Sequence, residues 1–162
     1  MRYSIHDKTL AAKKARILIH ALIECVRAGV KPSFVTNQML WGISLYLECG
    51  RFHRENWGTY QRISDAARKV RESGDKNWKA KVTFEHVRPI NQIYQMFLDE
   101  RATLTLDRAA FIIGEYPPVL VTIEEELRQT KLGFKHGGEP EQRYREIPIS
   151  GFSLRSEGAV PR

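Results

Sequence analysis

Apolar residues recur at helical spacing in the amino-terminal third of the chain, and basic residues fall mostly between them. This pattern predicts an amphipathic helix from Leu10 to a stop at Gly29. After the turn at Lys31-Pro32-Ser33, a second helix is expected from a cap at Thr36 to Gly50, where a left-handed residue is easily accommodated. The two segments together predict a helical hairpin that contributes to the core.

The central part of the chain changes between helical and strand-like patterns. A stripe of apolar residues that begins at Tyr60 predicts a third helix, which ends at Gly74. The following run, residues 81–87, alternates in polarity and is rich in β-branched and aromatic residues, which predicts a short strand. Pro89 then suits the first turn of another helix.

Three more elements are expected before the carboxyl-terminal loop. A helix is predicted over about residues 106–113, and a second short strand over residues 119–121. Thr122 and Glu125 form a capping-box pattern, so residues 123–131 should be helical. The pattern as a whole predicts a mainly helical α+β fold with a small sheet of two or three strands.

Length and composition indicate one compact domain of ordinary globular type. The chain has 162 residues, of which 42% are hydrophobic and 28% are charged. We expect residues 1–150 to form the domain, and residues 151–162, which are small, polar and basic, to form a mobile tail. The two cysteines lie in separate predicted helices without CxxC spacing, so they are expected to be reduced thiols rather than part of a disulfide scaffold. No long apolar run suggests a membrane span, and a cytoplasmic location is expected.

The positive charge of the chain is concentrated in residues 51–81. The formal net charge is +7, and this segment alone holds nine Lys or Arg against four Asp or Glu. Aromatic residues lie between these cations, a combination typical of nucleic-acid-binding grooves. The residues expected to contact DNA or RNA are Arg51, Arg54, Arg62, Arg68, Lys69, Arg71, Lys76, Trp78, Lys79 and Lys81. An acidic protein partner or a nucleoprotein would use the same face.

Glu85 and His86 are the most chemically suggestive pair in the sequence, because they end the predicted strand just before a helix. Histidine can ligate a metal ion or act as a base near neutral pH. Neighbouring residues on a strand point to opposite faces, so at most one of the two faces a given site. The alternative interpretation is a hydrogen-bonded structural histidine at the end of a strand.

The segment Glu85-His86-Val87-Arg88-Pro89 resembles the opening of the His-Asn-His nuclease motif, in which an acidic-His pair ends a strand and a proline follows. The resemblance covers residues 82–89. It implies that His86, with Glu85 beside it, is catalytic and acts as a general base toward water, while Mg²⁺ or another divalent cation stabilises the scissile phosphate. His86 and His136 are the metal ligands expected under this hypothesis.

A second resemblance involves positions spread along the chain. The pairs Glu85-His86, Val121-Thr122 and Arg143-Tyr144, together with Tyr60, are similar to positions in a group of small bacterial proteins. This second resemblance implies a family but no activity.

Two functional hypotheses follow from these patterns. The first is a small metal-dependent nuclease in which the basic segment holds the phosphate backbone and His86 activates water. The second is a non-catalytic module that binds DNA or RNA, or docks on a nucleoprotein as an accessory protein or inhibitor, in which His86 and Pro89 only fix a turn.

Overall fold

The computed structural model describes residues 3–50, 54–145, 147 and 149–150. The predicted tail and Arg51 lie outside these residues, and Arg54 is described only through its backbone. The helices are α1 (Leu10–Arg27), α2 (Phe34–Cys49), α3 (Asp65–Glu72), α4 (Ile90–Asp99), α5 (Leu106–Glu115), α6 (Ile123–Lys131) and α7 (Pro140–Arg143). The strands are β1 (Ile63–Ser64), β2 (Val82–His86), β3 (Pro118–Thr122) and β4 (Ile149–Ser150). Short 3₁₀ helices span Arg54–Thr59 and Trp78–Ala80.

The predicted helical hairpin is confirmed, with a different cap on its second helix. Thr9 caps α1 by accepting a hydrogen bond from the backbone N–H of Ala12. Ser33, rather than Thr36, caps α2, and Thr36 returns the contact by accepting from the backbone N–H of Ser33. This reciprocal pair satisfies two N–H groups that the first turn of a helix leaves without partners.

A helical core is formed by α1, α2, α4 and α5. Its fully buried side chains come from all four helices, at the three- and four-residue spacing that the sequence shows. The largest of them are Ile19, Leu22, Leu40, Ile43, Ile93, Tyr94, Phe97 and Ile112. This core holds α2 and α4 in place beside the sheet.

The sheet is small and mixed, with the strand order β2-β3-β1-β4. Strands β2 and β3 are antiparallel and paired over five residues, with Phe84 opposite Leu120 and His86 opposite Pro118. Strand β1 runs parallel to β3, and the two residues of β4 extend the sheet beyond β1. The expected α+β class with a minor sheet is therefore confirmed, and β2 lies at the edge of the sheet.

Alternation along β2 and β3 divides the apolar side chains of the sheet between two smaller cores. One core contains Val82 and Leu120 with Trp57, Tyr60 and Ala67. The other contains Val87, Val119 and Val121 with Tyr144 and Ile147. The sheet is thus covered by side chains on both faces.

The predicted third helix begins later than its apolar stripe suggested. Tyr60 lies outside it, and its hydroxyl donates a 2.5 Å hydrogen bond to the carbonyl of Pro118. The helix starts at Asp65 because Ser64 accepts a hydrogen bond from the backbone N–H of Ala67 and so caps α3. Ile63 and the cap residue Ser64 itself form β1.

Among the described residues, no helix is both long enough and apolar enough to cross a membrane.

Candidate functional site

A cavity of about 290 Å³ lies beside the end of edge strand β2. One wall comes from α2 through Asn37 and Trp41, and the opposite wall comes from α6 through Glu126, Gln129 and Thr130. The last three residues of β2, namely Phe84, Glu85 and His86, line the cavity between these helices. The start of α4 and the loop after α6 complete its lining with Pro89, Ile90, Asn91, Lys135 and His136.

Glu85 and His86 contact different elements, as expected for neighbouring residues on a strand. His86 meets Ser44 of α2, whereas Glu85 meets Arg143 of α7. Both residues still line the cavity, because it lies against the outer edge of the sheet.

The imidazole of His86 is buried and neutral. Its residue is 3% exposed, its Nε2 atom lies 2.9 Å from Oγ of Ser44, and its ring centroid lies 4.0 Å from that of Trp41 in an edge-on arrangement. Burial, with a smaller contribution from the charge of Arg143, lowers the pKa of His86 to about 3. Nδ1 is also buried and has no hydrogen-bond partner among the described residues.

Glu85 forms an ion pair with a deeply buried arginine. The side chain of Arg143 is fully buried, and its Nη2 donates both to Glu85 and, at 3.0 Å, to Oε1 of Gln129. Burial raises the pKa of Glu85, and the positive charge of Arg143 opposes that rise. The charge that Glu85 brings to the cavity is thus neutralised by its own protein.

The contact with Arg143 also fixes the orientation of the Gln129 amide. A guanidinium group can only donate hydrogen bonds, so the oxygen of the amide faces Arg143 and the amino group faces away from that contact. Nε2 of Gln129 is buried without a hydrogen bond of ordinary geometry in the described part of the chain, although the Gln129 amide also interacts with the hydroxyl of Tyr144. Oδ1 of Asn37 is buried without a partner in the same part of the chain. With Nδ1 of His86, three residues that line the cavity each carry a buried polar atom without a direct hydrogen bond in the described part of the chain.

The loop after α6 brings a second histidine to the cavity. Nδ2 of Asn91 donates to the backbone carbonyl of His136 at 3.3 Å, which holds this loop against the start of α4. The structure therefore brings Glu85, His86 and His136 to one cavity, although His136 lies fifty positions after His86. Within residues 3–50, 54–145, 147 and 149–150, no three His, Cys, Asp or Glu side chains are grouped so that they could hold a metal ion.

Three of the basic residues predicted to bind nucleic acid are engaged inside the protein. Arg62 pairs with the buried carboxylate of Glu48. Nη1 of Arg71 donates to the carbonyl of Tyr60 at 2.8 Å, and Lys81 pairs with Asp75 at 2.8 Å. The first contact joins the residue before β1 to α2, the second joins α3 to Tyr60, and the third closes the segment between α3 and β2 on itself.

Four further cations of the predicted set, Arg68, Lys69, Lys76 and Lys79, make no ion pair with a described acidic residue. Lys69 and Lys76 are exposed, whereas Arg68 and Lys79 are half-buried. The ammonium of Lys79 lies 5.8 Å from the ring centroid of Trp78, a cation–π contact. We call Arg68, Lys69, Lys76, Trp78 and Lys79 the basic surface.

Sequence reasoning missed much of the cavity. Asn37, Trp41 and Gln129 carry no motif. Ser44 contacts His86 from 42 positions away, and Arg143 contacts Glu85 from 58 positions away. Only the resemblance at Arg143-Tyr144 drew attention to one of them.

Comparison with protein families, curated proteins and solved structures found no match to this chain. The cavity and the basic surface are thus the features on which a function can be argued.

Proposed function

We propose that this protein binds DNA or RNA through the basic surface. The observation that carries the proposal is that Arg68, Lys69 and Lys76 make no ion pair with any described residue, so their charges are available to phosphates. Cations that neutralise phosphates release condensed counterions, which supplies most of the sequence-independent affinity for nucleic acid. Trp78 adds a half-buried aromatic ring beside Lys79, which suits stacking on an unpaired base.

Three other cations of the predicted set make contacts within the protein, close to the basic surface in the sequence. Arg62 and Lys81 form ion pairs with Glu48 and Asp75, and Arg71 donates a hydrogen bond to the backbone carbonyl of Tyr60. We therefore propose that the basic surface contacts nucleic acid and that Arg62, Arg71 and Lys81 have a structural role.

The test is a binding titration with labelled single-stranded and double-stranded DNA and RNA at several salt concentrations. Replacing both Lys69 and Lys76 by Glu should weaken binding by about tenfold or more at low salt. The slope of log affinity against log salt should fall by roughly 1.4 to 1.8, the value for two lost phosphate contacts. The matched control reverses two exposed lysines elsewhere, Lys13 of α1 and Lys131 of α6, with the same change in net charge.

Two outcomes would contradict the proposal. Equal weakening in both double variants would mean that only net charge matters. No binding of any nucleic acid at low salt would favour an acidic protein partner for the same surface.

A second candidate function is metal-dependent hydrolysis of nucleic acid at the cavity. The observation that favours it is that Glu85, His86 and His136 line the same cavity. Two features weigh against it: Arg143 neutralises Glu85, and a base with a pKa of about 3 accepts a proton only weakly near neutral pH. We therefore favour nucleic-acid binding over hydrolysis as the function of this protein.

The test of hydrolysis compares the wild-type protein with His86→Ala on the same nucleic acids in Mg²⁺ or Mn²⁺. A nuclease should cleave only when the metal is present, and His86→Ala should lose this cleavage while it still binds nucleic acid through the basic surface. Intact substrate in every metal would leave binding as the function.

A further inference from the structure

We propose that the cavity beside β2 binds a nucleobase, the flat heterocyclic part of a nucleoside or of an unstacked nucleotide. This inference stands apart from the binding of strands to the basic surface, because a free nucleoside is enough to test it. It rests on the size of the cavity, its aromatic walls, its buried polar atoms and its charge.

The volume suits a small ring system. Sites for drug-sized ligands usually measure about 300–1,000 Å³, so a cavity of about 290 Å³ lies at the lower end of that range. One or two fused rings fit such a space, whereas an extended peptide or an oligosaccharide does not.

The aromatic walls are held rigidly by their neighbours. Trp41 contacts the ring of His86, and Phe84 makes edge-on contacts with Trp57 at 5.0 Å and with Tyr60 at 4.9 Å between ring centroids. Stacking on aromatic side chains is a general mode of recognition for unpaired bases. Because the rings are already fixed, a base would lose little affinity to their reordering.

The lining residues Gln129, Asn37 and His86 supply polar atoms of the kinds that pair with the edge of a base, which carries hydrogen-bond donors and acceptors side by side. Nε2 of Gln129 is a donor, and Oδ1 of Asn37 is an acceptor. Nδ1 of His86 donates or accepts according to which tautomer its contact with Ser44 selects. Arg143 orients Gln129 and Ser44 holds His86, so both groups are preorganised for a ligand.

The charge of the lining favours an uncharged ring over a phosphate in the depth of the cavity. His86 is neutral there, Arg143 compensates Glu85, and the carboxylate of Glu126 in the lining disfavours an anion. The exposed side chains of Lys135 and His136 also line the cavity, and they are the groups suited to a sugar or phosphate that remains outside. The proposed ligand thus has a neutral flat end and a polar end.

The experiment is calorimetric titration of the full chain with adenosine, guanosine, cytidine and uridine. Asn37→Leu removes an acceptor that makes no hydrogen bond within the described protein, so it should leave the fold intact. It should weaken nucleoside binding by about tenfold, the size expected for one lost hydrogen bond. Its control is Gln38→Leu at the neighbouring exposed position of α2, which does not line the cavity.

A second pair of variants tests whether nucleoside binding needs the free volume of the cavity. Thr130 is exposed and lines the cavity, so Thr130→Trp should fill the cavity and abolish nucleoside binding, whereas Thr130→Ala should leave it. Thermal melts of all four variants establish that they are folded. The Lys69→Glu, Lys76→Glu double variant should bind nucleosides as the wild type does, which separates this inference from the strand-binding function.

Two results would overturn the inference. One is the absence of binding for all four nucleosides at millimolar concentration. The other is binding that is unchanged in both Asn37→Leu and Thr130→Trp.

Discussion

Ser44 and His86 connect the helical core to the sheet through one buried contact between side chains. Oγ of Ser44 lies 2.9 Å from Nε2 of His86, across 42 positions of sequence. Ser44 belongs to α2, which packs in the helical core, and His86 ends β2 at the edge of the sheet. Both residues are at most 3% exposed, so water cannot replace either partner.

Ser44→Ala should destabilise the protein by about 1–3 kcal/mol, because it leaves the buried imidazole without its hydrogen-bond partner. The measurement is the free energy of unfolding in urea at pH 7. Ser73→Ala is the control, since Ser73 is exposed, and its hydroxyl only donates to the carbonyl of Val70 and accepts from the backbone N–H of Asp75 at the protein surface. Equal losses in the two variants would show that the contact between Ser44 and His86 contributes nothing.

The buried imidazole also predicts a dependence of stability on pH. The pKa of His86 is about 3 in the folded protein against an ordinary value of 6.5, so the unfolded chain binds the additional proton between these values. The stabilising contribution of neutral His86 is therefore present above pH 6.5 and is lost as the pH falls toward 3. Within that window one proton changes the free energy of unfolding by about 1.4 kcal/mol per pH unit.

Urea unfolding of the wild type and His86→Gln between pH 7 and pH 4 tests this prediction. The variant should show a shallower loss of stability on acidification, because its side chain does not titrate. His20→Gln, at an exposed position of α1, should retain the slope of the wild type. Identical slopes for wild type and His86→Gln would contradict the burial of a neutral imidazole.

The elements that the sequence predicted well are those that local chemistry determines. Thr122 and Glu125 are three positions apart, and they form the expected capping box at the start of α6. Strand β2 likewise follows its alternating, β-branched sequence to within one residue at each end. The prediction failed at Tyr60, whose periodicity with α3 is accidental and whose hydroxyl is bound by distant Pro118.

The cavity could not be assembled from the sequence, because the contacts that form it are long-range. Glu85 and His86 were recognised from their motif, but their partners Arg143 and Ser44 come from other elements. No spacing rule connects residues 42 or 58 positions apart. The convergence of His136 on the same cavity depends on the loop that Asn91 holds.

Arg143→Met should be among the most destabilising single substitutions in this chain. It leaves the carboxylate of Glu85 and the amide oxygen of Gln129 without their charged partner, which typically costs about 3–5 kcal/mol for a buried pair. The double variant Glu85→Gln, Arg143→Met should lose less than the sum of the single losses, since no unpaired charge remains. Chemical denaturation of the four proteins measures this coupling.

Arg108→Met provides the comparison for a pair at the surface. Arg108 donates to Glu100 at 2.6 Å, but both side chains are partly exposed, so the loss should be about 1 kcal/mol or less. A loss in Arg143→Met no larger than that in Arg108→Met would mean that Glu85 is solvated in solution and that its contact with Arg143 is weak.

Gly50 and Gly29 end their helices in the same left-handed conformation, with φ of 76° and 71°, but in different surroundings. A Cβ at Gly50 would lie 2.8 Å from Cε2 of Tyr3, whereas a Cβ at Gly29 would meet nothing within 4 Å. Alanine at either position should cost about 1–2 kcal/mol for the backbone conformation. Gly50→Ala should lose more stability than Gly29→Ala because the Tyr3 ring must also move. In a Tyr3→Ala background, the stability lost on Gly50→Ala should equal that lost on Gly29→Ala. Thermal denaturation measures the loss in each variant relative to its own parent. Equal losses in Gly50→Ala and Gly29→Ala would show that Tyr3 does not pack against Gly50.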